Sequence, residues 1–145
     1  MSISKRAPNT IHLGGEVTIV ADIPAIETIT PGMLVEVHDN AGAIAYGVHD
    51  SADTPATRAV ALEQIMQNKL ISDTYAAGDL MRVGVMHPGS QFLAIIPSGQ
   101  TITQGAVLQS NGDGKLKAVG SGFGAYVAVE SVTALADSRI RVEVL

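Results

Sequence analysis

The chain has four histidines, fourteen acids, scattered hydroxyls and no cysteine with which to do chemistry. A histidine metal site or a metalloprotease motif needs imidazoles at a spacing that puts them on one face, such as four residues apart on a helix. His12, His38, His49 and His87 offer no HxxxH and no HxH. His49-Asp50 with nearby Asp53 could present an imidazole and two carboxylates to a divalent cation, but a polar loop that holds these residues by chance is the far better reading. Ser90 and Ser98 lie in turns outside the GxSxG frame that exposes a nucleophilic serine. Asn111-Gly112-Asp113-Gly114 resembles the start of a calcium loop but lacks the later ligands and the bidentate Glu. Ser121-Gly122-Phe123-Gly124 has no lysine and no helix to follow, so it is no phosphate cradle. Lys115 and Lys117 follow a tight turn without standing at its apex, which argues against a lysine displayed for biotin or lipoate. The residues therefore predict no catalytic group, no cofactor and no metal, hence no enzyme.

Composition narrows the partners. With no cysteine, neither a disulfide framework nor a thiol nucleophile is available. Hydrophobic residues make up 46% of the chain but aromatics only 3%, so the core must come from Val, Ile, Leu and Ala. A net charge of −5 and five scattered aromatics exclude the basic patch and stacking platform of a nucleic-acid binder. The charge is uneven: residues 1–10 carry Lys5 and Arg6 with no acid, residues 11–68 carry eight acids against Arg58, and the remainder balances. No apolar run approaches the ~20 residues of a membrane span, and the start MSISKRAPNT lacks the apolar segment of a signal peptide. No membrane partner is expected.

The elements that must position these residues are strands. Residues 1–10 are polar, contain Pro8 and show neither periodicity, which predicts an extended N-terminal arm; residues 11–145 are expected to form a single β-rich domain. Residues 11–20 predict two short strands split by Gly14-Gly15, and residues 23–32 a proline-punctuated loop. Pro31-Gly32 predicts a turn into a strand over 33–38, answered by a strand over 43–48. Residues 49–57 predict an exposed loop, and residues 64–69 a helical turn or loop. Strands are expected at 58–63, 80–86, 91–96 and 125–132, with a hairpin over 102–119 that turns at 111–114 and sends Val107, Leu116 and Val119 toward a core. The terminal run Arg139-Ile140-Arg141-Val142-Glu143-Val144 alternates cleanly, so Ile140, Val142 and Val144 should face inward. A recurring device stands out: Ile29, Tyr75 and Ile102 each lie three residues before a glycine, Gly32, Gly78 and Gly105, that opens a strand. About ten short strands with little helix predict a mainly β small barrel or sandwich.

In this order, the segments Arg58-Ala59-Val60-Ala61-Leu62-Glu63, Tyr75-Ala76-Ala77-Gly78-Asp79-Leu80, Ile102-Thr103-Gln104-Gly105, Leu108-Gln109-Ser110-Asn111-Gly112-Asp113-Gly114-Lys115-Leu116 and Arg139-Ile140-Arg141-Val142 resemble the decoration, or cement, proteins of tailed-bacteriophage heads, whose domain is termed a β-tulip. The resemblance covers roughly residues 28–145; it departs at Ala106, where an acid would be expected, and has no counterpart for residues 1–27. It implies a β-tulip-like fold and a non-enzymatic role, with the protein made in the host cytoplasm and bound to the outside of the capsid through the major capsid protein. A homotrimer over three-fold and quasi-three-fold positions is implied, with Ser2, Ile3, Ser4, Lys5 and Arg6 as the capsid-binding arm. A ligand that binds only the assembled shell stabilises it by mass action, about 2.7 kcal/mol per site at a hundredfold excess over Kd. The rival expectations are another virion role, such as a head-fibre base or tail component, and a small carbohydrate-binding or hydrolase domain.

Overall fold

A computed structural model describes residues 9–52 and 58–145. The chain is mainly β, in several antiparallel sheets, with one 3-10 turn at Ile65–Gln67 among the described residues. A six-stranded sheet runs in the order β1 (His12–Gly14), β7 (Gln91–Ile96), β13 (Ser138–Val144), β11 (Tyr126–Ala128), β9 (Val107–Ser110), β10 (Leu116–Ala118). A three-stranded sheet sets β6 (Leu80–Met86) between β2 (Val17–Pro24) and β5 (Ala59–Leu62). Two smaller pairs complete it: the hairpin of β3 (Val35–Asn40) with β4 (Ala43–Val48), and β8 (Thr101–Ile102) with β12 (Val132–Thr133).

Two apolar clusters form, and β5 separates them. Its four residues are all buried, with Val60 and Leu62 in one cluster and Ala59 and Ala61 in the other, as alternation along a strand requires. The larger cluster holds Phe92 and Tyr126, whose rings meet edge to face at 5.8 Å, together with Ile140, Val142 and Val144. The expected inward face of β13 is thus observed. The smaller cluster contains Val35, Tyr46, Tyr75, Met81 and Val83.

One turn solution recurs at the strand ends. In Thr30-Pro31-Gly32-Met33, Ala76-Ala77-Gly78-Asp79, His87-Pro88-Gly89-Ser90, Pro97-Ser98-Gly99-Gln100 and Thr103-Gln104-Gly105-Ala106, the fourth N–H donates to the first carbonyl. The glycine adopts φ between +87° and +99°, the value that the third position of a type II turn demands. Each of these glycines also donates its N–H to a carbonyl of a distant segment: to Ala61, Ala25, Val144, Ala134 and Ala128 in turn. The turn therefore both reverses the chain and ties it to a neighbour.

Three expectations change. The hairpin's first strand is shifted in phase: Leu108 is buried while Val107 is exposed, because Leu108 lies opposite both Tyr126 and Ala118 in the sheet, and Val119 is half-buried. The run 23–32 is not loop throughout, since β2 continues to Pro24 beside β6. His49, expected in an exposed loop, is buried. The remainder of that loop, 53–57, lies outside the described residues, as does the arm with Ser2, Ile3, Ser4, Lys5 and Arg6.

Candidate functional site

The four histidines sit in four separate settings, each with a local hydrogen-bond partner or charged neighbour. His12 Nε2 is 2.9 Å from the Gly15 carbonyl, and His87 Nε2 shares a 2.8 Å hydrogen bond with Thr18 Oγ1. His49 Nδ1 shares one of 2.8 Å with Ser110 Oγ, while its N–H donates to Leu34 O and its carbonyl accepts from Gly114 N. It thereby links the end of β4 to the 111–114 turn. His38 Nε2 lies 3.3 Å from Glu36 Oε1 but off the line a hydrogen bond requires, so the buried nitrogen is left without one. The ring lies over Gly47, where a Cβ would come within 2.7 Å of it. Among the described residues no three His, Asp or Glu side chains gather as a metal site. Asp50 is exposed, and Asp53 lies outside the described residues.

The serines are structural as well. Ser90 is fully buried; its hydroxyl donates to Glu16 O and its carbonyl accepts from Val144 N. Ser98 donates its N–H to Asp137 Oδ1 and its hydroxyl to Leu135 O. Neither meets an imidazole.

The 111–114 turn is docked against the body. Asp113 Oδ1 accepts from Asn111 Nδ2 and from Lys115 N, Gly114 O accepts from Leu34 N, and Gly112 and Gly114 adopt φ of +86° and +81°. A Cβ on Gly114 would approach Met33 and Val48 to 3.0 Å. Lys115 points away from any display role: its Nζ is 2.9 Å from Asp137 Oδ2 and 3.8 Å from Asp113 Oδ2. The hydrogen bond to Asp137 raises the Lys115 pKa, and the same bond lowers that of Asp137. Gly124 of the glycine-rich link packs its backbone against Val107 and the Leu108 carbonyl, leaving Phe123 exposed.

Sequence reasoning missed a half-buried polar clamp. Arg139 on β13 donates Nη1 to Pro31 O and Nη2 to Ile71 O, the latter at 2.9 Å. Gly32 leaves room for it, since a Cβ there would stand 2.5 Å from Nη1. Burial lowers the guanidinium pKa, and Glu63 opposes the shift. Glu63 in turn accepts a 3.0 Å hydrogen bond from the N–H of buried Ile11, the point from which the chain leads back toward its N-terminus. Only the charge of Arg139 within a core-facing strand could have signalled this.

The surface presents apolar side chains. Val37, Ile44, Ile65, Met66, Leu70, Phe123 and Leu135 are each more than half exposed. Two depressions accompany them. One, of about 310 Å³ between β8 and β12, is lined by the hydroxyls of Thr101, Thr103, Ser131 and Thr133 with Ile102 and Val132, and has no titratable lining group. The other, of about 400 Å³, lies over β2 and β6 beside the 3-10 turn. No helix among the described residues is long and apolar enough to cross a membrane.

No protein-family model matches the chain, and no curated protein matches it by sequence. In fold it is similar to the crystal structure of the N base of the head fiber gp8.5 in bacteriophage phi29, with a TM-score of 0.62 at 15% sequence identity. The likeness covers 88% of this chain and 95% of that one. At that identity it shows a shared fold.

Proposed function

We propose that the chain is a structural component of a bacteriophage virion, carried on the outside of the head as a base-like domain bound to the capsid. One observation carries this reading: the fold matches that of a head-fiber base almost from end to end, so the likeness concerns the whole domain and not a shared hairpin. The exposed Val37 and Ile44, which share one face of the β3–β4 hairpin, support it, because adjoining apolar side chains left in water mark contact surfaces. The partner in this reading is the major capsid protein, and no reaction is catalysed. In this reading residues 1–10, with apolar Ile3 and the cations Lys5 and Arg6, would act as the capsid-binding arm by adding a strand to a neighbour's sheet. A truncation ending at Thr10 spares buried Ile11 and its bond to Glu63. It is expected to leave a folded protein that binds capsids more weakly; unchanged binding would remove the arm from the mechanism.

The resemblance to cement proteins favours a second reading, in which binding itself stabilises the shell. Electron microscopy of particles, together with their heat resistance with and without the protein, tests both. Density ordered over the capsid lattice is expected. A loss of shell stability on removal supports cementing, unchanged stability supports a base alone, and density confined to the tail or absent from the head overturns the proposal.

A further inference from the structure

Ser110 ends β9 and His49 follows β4, and their side chains meet with Oγ 2.8 Å from Nδ1, both buried. A hydroxyl so placed is closed to any substrate from solvent. The two residues that follow it in the chain are not. Gly112 donates its N–H to the same Ser110 Oγ at 3.2 Å. A hydroxyl that accepts there keeps its own proton to give, and His49 Nδ1, in the tautomer protonated at Nε2, is the acceptor beside it. A chain of hydrogen bonds thus runs from the Gly112 amide through Ser110 to His49.

The amide at the head of that chain belongs to an Asn-Gly pair. Asn111 Cγ and Gly112 N are the two atoms that join when an asparagine closes to a succinimide, and a glycine in second place puts no side chain in the way of the attack. Asn111 Nδ2 donates to Asp113 Oδ1 at 3.1 Å, so the carboxamide is held toward residue 113, the direction in which Gly112 lies. Asn111, Gly112 and Asp113 are each partly exposed, which admits the water that opening such a ring consumes. A base aimed at the attacking nitrogen and a carboxamide set beside it are the two requirements of the reaction.

We propose that Asn111 is a site of self-modification, closed to a succinimide by Gly112 N with Ser110 as the catalytic group and His49 acting through it. The lone pair of Gly112 N forms the bond to Asn111 Cγ, and its proton passes to Ser110 Oγ as the Ser110 proton passes to His49 Nδ1. The Cγ–Nδ2 bond then breaks, and Nδ2 leaves as ammonia, taking as its third hydrogen the proton that His49 returns through Ser110 and solvent. One water opens the ring at either carbonyl and leaves aspartate or isoaspartate at 111. Either product removes the Asn111–Asp113 hydrogen bond and sets two carboxylates side by side. Isoaspartate also adds a backbone carbon to a turn whose register places Leu116 opposite Ser110. The turn that closes over His49 and takes Leu34 N at Gly114 O is therefore loosened as the protein ages. The event happens once per chain and turns over no substrate, so it stands apart from the virion reading.

The test incubates the full-length chain at neutral pH and follows residue 111 by intact mass and by peptide mapping that resolves isoaspartate from aspartate. The same chain held unfolded in denaturant gives the rate of the bare Asn-Gly pair. The folded chain is expected to convert about tenfold faster than the unfolded one, less than a freely placed base provides because the turn also restrains Asn111. Ser110→Ala and His49→Gln, each checked for native circular dichroism, are expected to convert more slowly than the wild type when folded and at its rate when unfolded. The direction separates the two roles the pair could have. If Ser110 and His49 only hold the turn rigid, removing either loosens it and conversion speeds up, which would overturn the proposal. A wild type that converts no faster folded than unfolded would overturn it as well, and that comparison decides the matter even if neither variant folds. Asn111→Asp, which carries one product from the start, is expected to melt below the wild type.

Discussion

Replacing Arg139 by Ala removes a side chain that joins β13 to both the Pro31 turn and the Ile71 segment. The guanidinium makes two charge-assisted hydrogen bonds to backbone carbonyls. It is only half-buried, so water can replace part of each, which places the loss at the low end of the usual range, about 1.5 kcal/mol per bond. The two together give about 3 kcal/mol, and for a domain of this size that lowers Tm by roughly 9 °C. Arg139→Lys keeps the charge but cannot fork to two carbonyls, and should lose about half as much. Denaturant titration followed by far-ultraviolet circular dichroism measures the change, with an unaltered m-value indicating that the unfolded state is not the cause. A double-mutant cycle with Glu63→Gln isolates the attraction between the two charges, expected to be of order 1 kcal/mol. An Arg139→Ala variant within about 0.5 kcal/mol of wild type, the ordinary scatter of surface substitutions, would refute the clamp.

Ala41 sits at φ +53° beside Gly42 at +88° in the two-residue loop of the β3–β4 hairpin, a geometry that favours Asn-Gly, so Ala41→Asn should stabilise the fold by about 0.5 kcal/mol in thermal melts; destabilisation would count against that backbone. Lys115 lowers the Asp137 pKa, so the pair's stabilisation is full above the unfolded carboxylate pKa, ~3.9, and fades as pH falls through the lower folded value. The difference in Tm between wild type and Asp137→Asn should accordingly vanish in strong acid. It should also vanish as pH rises through the raised Lys115 pKa, and a difference persisting at both extremes would show that the contact is not ionic.

Much of the strand pattern could be read along the chain because its causes are short-range. Alternation with period two put Ile140, Val142 and Val144 inward, and they are buried. The turns at Gly32, Gly78 and Gly105 likewise depend on one residue that tolerates positive φ. Where neighbouring residues were both apolar, as at Val107-Leu108, alternation could not choose the phase; the strands on either side, through Tyr126 and Ala118, chose it.

The candidate surfaces were less legible for the same reason. Val37 belongs to the inward series of β3 by pattern, yet it is exposed, because the hairpin outruns the body that would cover it. His49 stands in a polar stretch and is buried, because the 111–114 turn, some sixty residues later in the chain, closes over it. Arg139, Glu63 and Ile11 come together from three distant segments. The sequence by itself determined the strand class, the sites of reversal and the absence of thiol chemistry, all of which follow from side-chain type and local backbone preference. Tertiary structure alone decided which strands adjoin, which polar groups are clamped inside and which apolar faces stay in water, since these depend on contacts between residues that the chain keeps far apart.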